Sequence, residues 1–158
     1  NNDTEVINRN WINYMLSGIK IKKVGAVGCK LLFPNKKIQH NGIMLDKEKI
    51  AYNIDYLKED YDEEGDFKIV SGVTAASLMI SKGLFSKLRG FDENLPTEYN
   101  DIDLCIKIRK KGYNILCTNK PLFYHYESLT RGKTYDNKSM DYIKQKWNKE
   151  IGEEKYYK

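Results

Sequence analysis

Val70-Ser-Gly-Val-Thr-Ala-Ala-Ser-Leu-Met-Ile80 is a nearly unbroken run of apolar and small residues. A strand with one wet face alternates polar and apolar side chains, whereas a continuous run suits a strand covered on both faces. The stretch therefore predicts a parallel or mixed sheet with helices on either side. Upstream, Val24-Gly-Ala-Val-Gly-Cys-Lys-Leu-Leu-Phe33 reads as another strand, and its two glycines predict close approach by another backbone or a ligand. Pro34-Asn35-Lys36-Lys37 is a turn, and residues 38–45 read as a second short strand, so the pair forms a hairpin.

Helical spacing flanks these strands. Asn8 or Asn10 can cap a helix carrying Trp11, Ile12, Met15 and Leu16, with Gly18 as its stop. A short helix is expected around 85–88, followed by the turn Gly90-Phe-Asp-Glu93. The pattern from 101 to 111 is helical, with Ile102, Cys105, Ile106 and Ile108 apolar and Gly112 closing it. Residues 113–117 read as a strand and 121–124 as extended chain. From Tyr135 to Lys158 the chain reads as an amphipathic helix with Met140, Ile143, Trp147 and Ile151 on one stripe. Strands alternating with helices predict an α/β domain spanning residues 1–158.

At 158 residues the chain is one domain's worth, and a chain of this size buries about 70% of its unfolded surface. No apolar run approaches the roughly 20 residues that cross a bilayer. The net charge of +5 is mild and dispersed. Its densest basic cluster, Lys107, Arg109, Lys110 and Lys111, reads as the solvated face of a helix, so no nucleic-acid partner is expected. Cys29, Cys105 and Cys117 are odd in number, form no CxxC and sit in apolar stretches, which predicts reduced core thiols of a cytosolic protein. The acidic run Asp60, Asp62, Glu63, Glu64 and Asp66 resembles a calcium loop only loosely. Ser71 stands where the closing Glu is needed, and a surface loop is the plainer reading.

Three polar groupings can carry chemistry. Asn100-Asp101-Ile-Asp103 stands where a loop enters a helix. Asn there caps well and acids favour the positive helix end, yet an acid at the tip can also take a proton from a substrate hydroxyl. His125, in Tyr124-His-Tyr-Glu-Ser128, stands beside Glu127 and close to Arg131 at the end of an extended apolar stretch. An imidazole together with an Asp suits Mn²⁺ or Mg²⁺ when phosphates complete the shell. His40, in Gln39-His-Asn-Gly42, can line a cleft or cap a turn.

These segments, taken in order, resemble the C-terminal half of family 2 glycosyltransferases, the inverting group with the GT-A fold. The likeness is strongest to bacterial members that build cell-surface polysaccharides, including rhamnosyltransferase-like proteins. The matching segments are Asn1-Asn-Asp-Thr-Glu-Val6, Trp11, Val24 to Phe33, Ile38-Gln-His-Asn-Gly42, Val73-Thr-Ala-Ala76, Gly90-Phe-Asp-Glu93, Asn100-Asp-Ile-Asp-Leu-Cys105 and Tyr124-His-Tyr-Glu-Ser128 with Arg131-Gly132.

The resemblance implies a GT-A type mixed sheet, of which this chain holds the acceptor side and the catalytic base, with the nucleotide-binding half lying upstream. It places Asn1-Asn2-Asp3 where the family carries Asp-x-Asp, so that Asp3 is a metal ligand and Asn1 a weakened one. It makes Asp101 the general base, with Asn100 in place of the family's Glu, and His125 a further ligand to Mn²⁺ or Mg²⁺. Trp11, His40, Thr74, Asn100, Asp103, Glu127 and Arg131 become substrate contacts. The implied partners are a nucleotide-sugar donor and a glycan or lipid-linked acceptor, at the cytoplasmic, inner face of the membrane. The 158 residues alone are then expected to be inactive. They are also expected to self-associate through surface that the upstream half would cover, which light scattering across a concentration series reads. The competing expectation is a non-catalytic carbohydrate-binding or assembly module, whose twelve tyrosines and two tryptophans stack on sugars.

Overall fold

The computed structural model describes residues 2–96, 98–126 and 137–152. Two long strands run side by side through it, β2 (Val24–Leu32) and β8 (Asn114–His125), paired in parallel from Val24↔Asn114 to Leu32↔Tyr124. Four short strands frame them, all antiparallel to their neighbours. On the outer side of β8 lie β1 (Thr4–Val6), opposite residues 123–125, and β6 (Phe67–Val70), opposite residues 115–118. On the outer side of β2 lie β3 (Ile38–His40) and β7 (Leu78–Ile80). A separate hairpin joins β4 (Ile43–Asp46) to β5 (Ile50–Asn53). The result is the expected mixed sheet in an α/β domain.

A parallel pair must be covered on both faces, and the sequence of β2 shows how. Val27, Cys29 and Leu31 point to one side, where they meet Met15 of helix α1 (Trp11–Ile19), with Leu116, Leu122 and Phe123. The alternate residues Ala26, Gly28 and Lys30 face the other side. Ala26 packs with Leu104, Cys105 and Ile108 of helix α3 (Asn100–Lys110). Gly28 accepts the side chain of Val73 so closely that a Cβ there would lie 2.4 Å from Val73 Cβ. The glycine thus marks a close approach, made by a side chain.

Lys30 is fully buried, and its ammonium is neutralised by Asp60 at 2.6 Å and Glu63 at 3.2 Å. Glu63 also pairs with Lys68. Two acids of the run, Asp60 and Glu63, are therefore counterions folded onto the sheet, since a buried ammonium is tolerated only when paired. All three cysteines are free and buried, and burial pushes the Cys29 and Cys105 thiols up to about 12.

Several boundaries differ from the sequence expectation. The run 70–80 is not one buried strand. It is divided between the end of β6, a crossing segment at 71–74, a 3₁₀ turn (Ala75–Ser77) and β7. Small residues here serve close packing: Val73 N–H meets Cys105 Sγ at 3.4 Å, and Gly72 lies against the same side chain. Residues 38–45 are split by Gly42, at φ +94°, into strands of two different sheets. Residues 114–125 form one strand, and Thr118 Oγ1 accepts the Lys30 N–H at 3.0 Å where the ladder shifts ahead of Pro121. Gly18 lies inside α1, and Tyr99 in the left-handed region, not Asn100, occupies the cap position of α3.

The second face of α3 presents Ile102 and Ile106 to Ile43, Leu45 and Ile50, and to Ile143 and Ile151 of helix α4 (Asn137–Ile151). Met140 and Trp147 complete the expected stripe. Asp103 sits inside this layer at 0% exposure. Its carboxylate receives Lys107 Nζ at 2.6 Å, Lys146 Nζ at 2.7 Å and the Trp147 indole N–H at 2.8 Å. Lys146 also reaches Asp92, at 2.5 Å. That contact, with Tyr142 and the Asn94 N–H, holds the Asp92 carboxyl far below its ordinary value. Of the basic cluster on α3, Lys107 is thus spent on Asp103, Arg109 on the Ser71 carbonyl and Lys110 on Glu150. Apolar side chains Val6, Ile7, Ile12, Leu16 and Ile21 remain exposed along β1 and α1. Among the described residues no helix is long and apolar enough to cross a membrane.

Breaking a buried ion pair on one side leaves a charge without compensation and costs about 3–5 kcal/mol. Lys107 remains in Lys146→Met, so the expected loss is about 3 kcal/mol in urea unfolding, with most of it recovered by Lys146→Arg.

Candidate functional site

The polar residues singled out in the sequence gather mainly at the carboxyl ends of β2 and β8. Pairing of Thr4 with His125 sets Asp3 beside the imidazole, and the Asp3 carbonyl accepts the Tyr126 N–H at 2.9 Å. His125 Nε2 lies 3.3 Å from Asp3 Oδ2, and His125 Nδ1 lies 3.2 Å from Gln39 Oε1. Both ring nitrogens thus face oxygen acceptors, and the tautomer with its proton on Nδ1 would leave the Nε2 lone pair turned toward Asp3. Two acceptors facing one another call for a cation or a proton between them. Asp3 Oδ1 is buried as well and has no hydrogen-bond partner among the described residues.

A carboxylate with an imidazole held from behind through its other nitrogen fits a divalent cation. Asp3 and His125 are the residues that would hold one. Among the described residues no third His, Cys, Asp or Glu joins them, and Asn1, Glu127 and Arg131 lie outside the described residues.

Next along β3, His40 is fully buried. Its Nδ1 meets Asn53 Oδ1 at 2.7 Å, and its Nε2 accepts the Thr74 N–H at 3.4 Å. The ring is thereby fixed as the neutral Nδ1–H tautomer. Burial takes its pKa from the ordinary 6.5 down to about 4; the Asn53 hydrogen bond opposes this, while nearby His125 and Lys68 add to it.

Thr74 then leads to Asp101. Ala75 N–H donates to Asp101 Oδ2 at 3.1 Å and Ile102 N–H to Oδ1 at 2.9 Å, while the Thr74 hydroxyl bonds the same carboxylate. Burial raises the Asp101 carboxyl above its ordinary value, and these hydrogen bonds only partly oppose it. A carboxyl so poised is a stronger proton acceptor than a free one and is kept in a single orientation.

The arrangement is thus a polar seam: Asp3, His125 and Gln39 at one end, His40, Thr74 and Asp101 at the other, joined through adjacent residues of β3. Gln39 and Asn53 were not foreseen. Gln39 is a single polar residue in a short strand, and Asn53 lies between residues 46 and 66, a polar stretch with no helical or strand periodicity in the sequence.

Three expected contacts are placed elsewhere or engaged otherwise. The buried Asp103 carboxylate is engaged by Lys107, Lys146 and Trp147, in the layer between α3 and α4. Trp11 packs edge-on against Phe123, with ring centroids 5.1 Å apart, in the layer under α1. Asn100 opens α3 without capping it.

An α/β domain with a paired carboxylate and imidazole at its strand ends, and a half-buried carboxylate at a helix start, is the class of molecule described. No family model matches the chain. It is 34% identical over 161 residues to the uncharacterized protein y4gI of Sinorhizobium fredii, an alignment covering 93% of this chain and 18% of that protein. It is 30% identical over 137 residues to the O-antigen biosynthesis protein RfbC of Myxococcus xanthus, covering 83% of this chain and 11% of that protein. The chain therefore spans less than a fifth of the length of either relative.

His40 makes stability depend on pH. Below pH 6.5 the unfolded chain binds a proton that the folded imidazole refuses until about pH 4. Its contribution is complete above pH 6.5 and is lost as pH falls to about 4, a swing of roughly 3 kcal/mol. Urea unfolding from pH 7 to pH 4 should show a flatter profile for His40→Asn than for the parent chain.

Proposed function

We propose that the chain is the acceptor-side part of a metal-dependent inverting glycosyltransferase that works in polysaccharide biosynthesis. The observation that carries the reading is the seam that puts a half-buried, hydrogen-bonded carboxylate, Asp101, on the same short strand-and-turn framework as the Asp3–His125 pair. The similarity to an O-antigen biosynthesis protein supports the polysaccharide setting, and the ordered motifs support the GT-A type of sheet.

Asp101 acts as the general base. Its two oxygens are oriented by the Ala75 and Ile102 N–H groups and by the Thr74 hydroxyl. An acceptor hydroxyl gives its proton to that carboxylate as its oxygen bonds the anomeric carbon. The bond from that carbon to the nucleoside diphosphate breaks in the same displacement, on the opposite face, which inverts the centre. His40 holds Thr74 and Ala75 in place and so positions the base without touching substrate. A divalent cation at Asp3 and His125 offsets charge on the diphosphate when bound. Arg131, Glu127 and Asn1 are proposed around the leaving group and acceptor. The donor is a nucleotide sugar and the acceptor a glycan or lipid-linked glycan, with the work done at the cytoplasmic side of the membrane.

Removal of a general base costs about 10²–10⁴-fold in rate. In the full-length gene product, Asp101→Asn should reduce sugar transfer by that factor while nucleotide-sugar binding stays within about twofold. Asp3→Ala should abolish the stimulation of transfer by Mn²⁺. Undiminished transfer by Asp101→Asn rejects the assigned base, and glycan binding with no transfer by the parent protein favours a binding module.

A further inference from the structure

We infer that the cleft beside the 3₁₀ turn (Ala75–Ser77) is the subsite for an acidic sugar unit of the acceptor, one bearing a carboxylate or a phosphate. The inference rests on the glycosyl-transfer reading and names its substrate class. The cleft has a volume of about 440 Å³ and is lined by Ala75, Leu78, Ile80, Lys82, Phe85 and Phe91. That lies within the roughly 300–1,000 Å³ usual for small-molecule sites.

Its position comes first. Ala75 lines the cleft and its own N–H donates to Asp101 Oδ2, so a ligand resting there lies one residue from the proposed base. No other residue proposed for the seam lines it.

Its chemistry comes second. Phe85 and Phe91, the latter just beyond the left-handed pair Arg89 and Gly90, meet edge to face at 5.5 Å. Phe91 nevertheless stays 42% exposed, so part of an aromatic ring that lines the cleft is kept in water. An aromatic face exposed at a recess suits the C–H face of a pyranose ring, which is apolar while its hydroxyls remain wet. Lys82 is the one charged residue lining the cleft, and no carboxylate pairs with it among the described residues. It stands in the first turn of helix α2 (Lys82–Lys87), where a cation meets the unfavourable end of the helix. The local fold gains nothing from that charge, whereas an anionic ligand would. A purely aliphatic ligand would use the aromatic rings and leave the ammonium unmatched.

The test is a titration of the isotope-labelled protein followed by NMR. The probes are methyl β-glucuronide for the carboxylate, glucose 6-phosphate for the phosphate and methyl β-glucoside as the neutral control. The expected result is that acidic probes shift the Ala75, Leu78 and Ile80 resonances and bind about tenfold tighter than the neutral glucoside, the effect of one charge-assisted hydrogen bond. Whichever acidic probe binds tighter identifies the anion. Lys82→Gln should erase the preference, Lys82→Arg should keep it, and Phe91→Ala should weaken all three probes. Equal binding of acidic and neutral probes, shifts that map away from the cleft, or a preference surviving Lys82→Gln overturns the inference. The base assignment is read from the rate of sugar transfer, and the subsite from probe affinities alone. Failure of the base assignment and failure of the subsite therefore appear in different measurements.

Discussion

The parallel pairing of β2 with β8 is the constraint from which the rest follows. Two long parallel strands cannot leave either face in water, so α1 must cover one side and α3 the other. Nor can they be joined by a tight turn, so the chain between them has to travel. It uses the journey to lay short antiparallel strands along both flanks of the pair. Those short strands bring polar side chains to the carboxyl ends of the long ones, which is where open α/β sheets offer a crevice. Gln39 and His40 arrive there on β3, Asp3 stands just ahead of β1 at the start of the chain, and His125 is the last residue of β8 itself.

Two acids on α3 show how little separates a reactive carboxylate from a structural one. Asp101 and Asp103 are two residues apart, which turns them about 200° around the helix. Asp101 faces the segment 74–75 and receives its backbone and hydroxyl donors. Asp103 faces α4 and is closed over by two lysines and an indole. In the sequence both read as acids in a first helical turn, and no local rule separates them. Their partners, Thr74 on one side and Trp147 on the other, come from segments 27 and 44 residues away.

The same distinction between local and distant causes explains what the sequence reveals. The helices at 11, 100 and 137 and the hairpin turn at 34–37 follow from nearby spacing and from residues that favour turns, and they form close to where the pattern puts them. The run at 70–80 misleads because small apolar residues mean either a strand covered on both faces or a chain pressed between other elements. Val73 filling the space over Gly28 selects the second, and that contact spans 45 residues of chain. The pair of Asp3 with His125, and the link from His40 through Thr74 to Asp101, are foreshadowed as residues but not as a connected seam. Gln39 and Asn53, which orient the two histidines, have no pattern of their own. The acidic stretch 60–66 likewise takes its meaning from Lys30, a lysine that β2 buries because of strand alternation alone.

The tie between Lys146, Asp92 and Asp103 also governs how the domain can come apart. A helix held only by an apolar stripe can fray in steps, each step exposing a little more surface. Here the first step that withdraws Lys146 and Trp147 strips a fully enclosed carboxylate of most of its partners, and the cost falls all at once. Helices α3 and α4 therefore open as a single cooperative unit or not at all. Since α3 also begins with Asp101, the distant C-terminal helix acts as a guarantor of the geometry at the other end of the sheet, with no contact between the two.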